Sequence, residues 1–364
     1  MTFLKNIFSK KEEPIVTYND FWNWFLKNEK AFFNAVKNGN HIEKDFFDKL
    51  SPKLAELKDG FFFLTGMYDA NTAELVLTPD GIVKNIVFVE ELVNSAPNIS
   101  GWKFTALKPS VDNEKFSIKM ASYVFDSDNL FFYSNDNPEY PDEIDISIVH
   151  KYYKEEDKSA IGNGVYIFLD NYLGELNSVI TIDNLRVIGE NAAEKELIPI
   201  EKLKAFLIWR QKEFLEKYDG KRYNTENDGY ACLEAKLENG SNLIAIINTT
   251  LLEWESKASH PWILDIEIKY DGASNDGMLD NNTYELLNNF EDEITQELKD
   301  FDGYLNVGRQ TADNTRKVFF ACKDFRKSSK VACEIIKKYS DKLEIDYNIY
   351  KDKYWQSLNR FRPT

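Results

Sequence analysis

Histidine and cysteine are scarce. The chain of 364 residues holds three of each: His41, His150 and His260, and Cys232, Cys322 and Cys333. Histidine supplies most general bases and metal ligands near neutral pH. Here the three stand alone, with no HxH or HExxH spacing to gather them on one face. The cysteines are odd in number and form no CxxC pair, which argues against a disulfide framework and fits small thiols in a reducing cytoplasm. No Gly-x-Ser-x-Gly elbow occurs, and Gly162-Asn163-Gly164 is too poor in glycine to cradle a phosphate. No apolar run reaches the roughly 18 residues that span a membrane. Near the N-terminus, Phe3, Leu4, Ile7 and Phe8 share one helical side, but the segment lacks the apolar core and cleavage site of a signal peptide. The expectation is a cytoplasmic protein with no membrane span, and no catalytic residue, metal or cofactor can be named.

What the chain has is core material and negative charge. Hydrophobic residues make up 43% and aromatics 14%, enough for globular cores, and the length suggests two domains. The net charge of −16 repels phosphate at long range and disfavours nucleic acid and anionic lipid.

The expected fold class is α+β in two domains, over 15–218 and 229–364, with a linker near 219–228. In the first, Asn19 or Asp20 caps a helix carrying Phe21, Trp24, Phe25, Phe32, Ala35 and Val36. That aromatic stripe reads as a face packed on a sheet or, alternatively, as a ligand groove. A second helix, interrupted by Pro52, follows. Several short strands come next, and the apolar run Val165–Leu169 reads as a central strand. Val179–Val187 also reads as strand, and Pro199–Tyr218 as a long amphipathic helix.

The second domain reads strand, helix, strand, strand, helix, strand from Trp262 to Tyr350. That is the ferredoxin-like βαββαβ order. A β-hairpin turning at Asn239-Gly240 precedes it. The loop Asp271–Asp280 invites a calcium reading but misses the EF-hand spacing, because Ala273 stands where an oxygen ligand is needed.

Charge is segregated inside this domain. Residues 265–302 hold twelve acidic side chains and two lysines, whereas residues 316–338 hold eight basic and two acidic ones. The two stretches either neutralise one another or leave a basic patch for an acidic protein partner. The candidate contact residues for that patch are Arg316, Lys317, Lys323, Arg326, Lys327 and Lys330. Phe319 and Phe320 adjoin it, but adjacent strand residues point to opposite faces, which weakens a base-stacking reading.

The run from about Tyr230 to Pro363 resembles the bacterial family called domain of unknown function 695. Its ending, Asp352-Lys353-Tyr354-Trp355 and on to Pro363, also resembles the tail of the ribonuclease E activity regulator B family. The first family implies no activity; the second implies a non-catalytic protein that binds and inhibits a ribonuclease. In the first domain, Phe21–Glu29 and Ser95–Trp102 resemble uncharacterised bacterial proteins, and imply no activity. The reading is therefore a non-catalytic regulatory or protein-binding module. The alternatives are a hydrolase or small-molecule binder with an inter-domain cleft, and an immunity-type protein that neutralises a basic toxin.

Overall fold

The structure, a computed structural model, describes residues 14–111 and 116–362; the segment bearing Phe3, Leu4, Ile7 and Phe8 lies outside them. The chain divides into two compact units, Met1–Lys108 and Pro109–Thr364. The linker expected at 219–228 thus falls inside the second unit.

The first unit runs α1 (Tyr18–Asn38), a π-helical turn, α2 (Asp48–Leu57), β1 (Phe62–Met67), β2 (Ala73–Thr78), α3 (Val83–Asn94) and β3 (Trp102–Ala106). Thr17, not Asn19 or Asp20, caps α1. Its hydroxyl accepts from the Asp20 amide while the Asp20 carboxylate accepts from the Thr17 amide, a reciprocal box. The aromatic stripe of α1 packs on the sheet: Trp22 and Phe25 meet Phe104 edge-on at 4.6 and 5.5 Å between ring centroids. It is core rather than groove. Strands β1 and β2 are antiparallel, and β2 and β3 are parallel, joined by α3.

The second unit begins with β4 (Ile118–Met120), β5 (Tyr123–Phe125), β6 (Leu130–Asn135), β7 (Asp145–His150), α4 (Lys158–Leu173), α5 (Glu175–Thr181), β8 (Asn184–Gly189), β9 (Ile198–Pro199) and α6 (Leu203–Tyr218). A four-stranded sheet takes the order β8-β7-β6-β9. The apolar run Val165–Leu169, expected as a strand, lies in α4. Ile161, Val165, Phe168 and Leu169 are buried at helical spacing, while Tyr166 and Ile167 face solvent. Gly164 lets the helix press close, since any side chain there would run into the Phe125 ring. The expected strand Val179–Val187 is split in the same way, between the end of α5 and the start of β8.

The chain continues with β10 (Tyr230–Lys236), β11 (Asn242–Asn248), α7 (Thr249–Leu252), β12 (Trp262–Lys269), α8 (Asn281–Glu297), β13 (Tyr304–Ala312), β14 (Thr315–Cys322), α9 (Phe325–Tyr339) and β15 (Glu344–Lys351). All neighbours are antiparallel in the order β10-β11-β13-β14-β12-β15. Helices α8 and α9 lie on one face. The other face packs on a terminal 3-10 segment through Trp355, Leu358 and Phe361.

The ladder between β13 and β14 slips between Asn306 and Gly308, a bulge. Gly308 has φ of 142°, and a side chain there would strike the Ile246 carbonyl and Ile247 of β11. Gly308→Ala is expected to cost roughly 2 kcal/mol from strain and overpacking, read as a lowered Tm. An unchanged Tm would mean that the bulge is not held by this residue.

Candidate functional site

The six residues expected to form one basic patch are separated by the fold. Strand alternation turns Arg316 toward α8, where it is 3% exposed. Its Nη1 donates to Glu291 Oε1 at 2.9 Å and its Nε to Thr311 Oγ1 at 3.1 Å, while Arg309 donates to the other Glu291 oxygen at 2.7 Å. Lys317 points to the opposite face, with its Nζ 2.8 Å from Glu267 and 3.7 Å from Asp265. Lys327 lies 3.7 Å from Asp302, and Lys338 lies 3.2 Å from Glu293. The acidic and basic stretches thus meet across the sheet and between the helices. Lys330 is half-buried on α9.

Lys323 and Arg326 remain together. They line a cleft of about 300 Å³ with Lys351 and Lys353, four cations against the single carboxylate of Asp324 among the lining residues. Thr181 and Gln211 add polar groups, and Phe214, Trp262 and Phe325 make apolar walls. Asp324 caps α9 by accepting from the Lys327 amide at 2.9 Å. Cations at Arg326 and Lys327 oppose the dipole of the helix they begin. Lys327 is turned to Asp302, and the Arg326 guanidinium lies over the Phe325 ring at 4.6 Å from its centre.

Sequence reasoning missed Lys351 and Lys353. Lys351 Nζ donates to the Ile180 and Thr181 carbonyls at 2.6 and 3.2 Å and pairs with Asp183 at 2.8 Å, which uses all three of its protons. Burial lowers its pKa to about 8, against the pull of Asp183. Lys353 donates to the Asp142 carbonyl at 2.6 Å and to Asp183 at 2.8 Å, and its Nζ lies 4.4 Å from the centre of the Phe214 ring. Two lysines thus share the Asp183 carboxylate, and the Glu143 carboxylate lies within electrostatic reach of both. Lys351 already donates all its protons, so it supplies charge there and not a nucleophile. The signal was present in the sequence: both lysines are set between Tyr350 and Trp355, and Trp355 is core.

Two histidines are buried, and neither meets a carboxylate among its hydrogen-bond partners. His150 bonds the Val124 carbonyl through Nε2 at 3.2 Å and accepts from the Tyr152 amide at Nδ1 at 3.1 Å, so it is satisfied as a neutral ring. At His260, Ser259 Oγ donates to the Ser256 carbonyl at 2.6 Å, so the Nδ1 hydrogen at 2.8 Å is donated to that oxygen. Ser259 therefore has no base, and His260 Nε2 is left as an unpaired acceptor. Burial pushes the Cys322 thiol up to about 12, away from thiolate chemistry. Among the described residues, no group of three or more His, Cys, Asp or Glu is placed to hold a metal ion, and no helix is long and apolar enough to cross a membrane.

Burial, helped by the Lys323 and Arg222 charges, lowers the His260 pKa to about 4. The folded value lies below the unfolded one of about 6.5, so its contribution to stability is full above pH 6.5 and is lost as pH falls toward 4. An NMR titration should find the ring neutral at pH 5; a midpoint near 6.5 would contradict the buried placement. Arg316→Glu should destabilise the fold by about 3 kcal/mol or more, because it sets a second carboxylate beside Glu291 in a buried site. Lys323→Glu with Arg326→Glu should leave the Tm within a few degrees. A Tm equally unmoved by Arg316→Glu would contradict the buried placement of Arg316.

Comparison with known proteins bears on the C-terminal part alone. Neither a curated protein nor a solved structure matches the chain. Residues 235–361, from the end of β10 through the terminal 3-10 segment, match a family described as a family of unknown function (DUF695).

Proposed function

We propose that the chain is a non-catalytic binding protein, and that the cleft at the start of α9 takes an acidic segment of a protein partner, as a regulatory or inhibitory subunit would. The observation that carries this is the placing of Lys323 and Arg326 in one cleft, beside the Asp183-held Lys351 and Lys353, in a chain whose net charge is −16. At about 300 Å³ the cleft is at the small end of ligand pockets and suits one or two carboxylate side chains better than a cofactor. The chain's own charge opposes an acidic body at long range, and attraction is confined to roughly 8 Å at physiological salt. The partner is therefore a protein of neutral or basic body carrying a local acidic segment. We read the βαββαβ part as ferredoxin-like with a two-stranded extension, supported by the order β13-β14-β12-β15 and two helices on one face. A reducing cytoplasm suits Cys322, whose thiol is buried in the core.

A labelled hexaglutamate peptide tests the cleft directly. Fluorescence anisotropy should show saturable binding at low salt, weakened as salt rises and lost in the Lys323→Glu, Arg326→Glu variant. Binding of equal strength to both proteins, or none to either, would overturn the assignment.

A further inference from the structure

The six-stranded sheet ends in a free strand, and the geometry points to a second copy of this chain as what pairs with it: we propose that β10 joins β10 of another molecule, antiparallel and centred on Leu233. Strand β10 is hydrogen-bonded to β11 on one side and is last in the sheet order, with no strand of the described residues on its other side. The backbone parity is fixed. Leu237 donates to the Ser241 carbonyl and Gly229 accepts from Thr249, so the odd-numbered residues bond toward β11. The N–H and C=O groups of Tyr230, Cys232, Glu234 and Lys236 therefore point outward, and all four residues are exposed.

Two-fold pairing of this edge must match even residues with even residues. Centring on Glu234 sets that carboxylate against its own copy, and centring on Lys236 does the same with two ammoniums. Centring on Cys232 or on Ala235 shortens the overlap. Centring on Leu233 engages all seven residues, gives about eight new backbone hydrogen bonds and opposes no like charges. Tyr230 then faces Lys236 of the second copy, Ala231 faces Ala235, and Cys232 faces Glu234. Leu233 meets its own copy on the face where it already packs against Ala245 and its neighbours. The other free edge, β15, carries Glu344 and Asp346, which discourage the same pairing there.

The test uses the full chain. Leu233→Cys in a Cys232→Ser background should form a disulfide-linked dimer under mild oxidation, because a non-hydrogen-bonded antiparallel pair brings the two sulfurs together. Ala231→Cys and Ala235→Cys should fail alone and link when mixed; Cys232→Ser alone should not link. Glu234→Pro removes an outward N–H at an edge position, so it should leave the circular dichroism spectrum of the folded chain unchanged and give a monomer in sedimentation. The dimer should tighten as salt rises, since each copy carries −16, opposite to the salt response of the cleft. A wild-type monomer at all salts, together with no linkage through position 233, would overturn the proposal. Linkage at 231 or 235 alone, or a dimer untouched by Glu234→Pro, would also overturn it.

Discussion

The second unit depends on one buried carboxylate. Asp183, between α5 and β8, takes Lys351 and Lys353 from the end of β15, one on each oxygen, and also accepts from the Ile144 amide. Both lysines are nearly buried, so neither could leave water without that partner and the carbonyls of Ile180, Thr181 and Asp142. The shared anion ties the four-stranded sheet to the six-stranded one.

The segment Tyr350–Trp355 is built for that junction. Tyr354 donates to the Asp142 carboxylate at 2.6 Å, and Asp352 accepts from the amides of Gln356 and Ser357. Trp355 turns the chain with φ of 56° and donates to the His260 carbonyl from the core. The ending therefore has a structural explanation for nearly every side chain, independent of any partner. Its functional consequence is indirect: it sets two lysines, held by Asp183, beside the cleft where Lys323 and Arg326 stand.

The C-terminal elements were legible because their signals were local. Alternation in β12, the Asn239-Gly240 turn and the helical spacing of Val331, Ala332, Ile335 and Tyr339 each report on a few neighbouring residues. Val165–Leu169 was misread because a short apolar run is the same for a buried strand and a buried helix face; Gly164 against Phe125 decides it, and that contact is not local. The site was half legible. Of the six residues picked out by charge segregation, Lys323 and Arg326 line the cleft. Strand parity buries Arg316 and turns Lys317 away, which the sequence contains but which matters only once α8 is known to cover one face. Lys351 and Lys353 carried a signal only in their aromatic neighbours Tyr350 and Trp355, because a lysine next to an aspartate normally reads as solvated surface.

The most direct measurement is a crystal of the full chain soaked in sodium bromide, with the anions located by anomalous scattering. The account predicts a bromide between Lys323 and Arg326, in front of the Asp183 pair. Bromide at other sites with the cleft vacant would contradict it, for the excess charge would then be neutralised within the protein and the cleft would have no call on an acidic ligand.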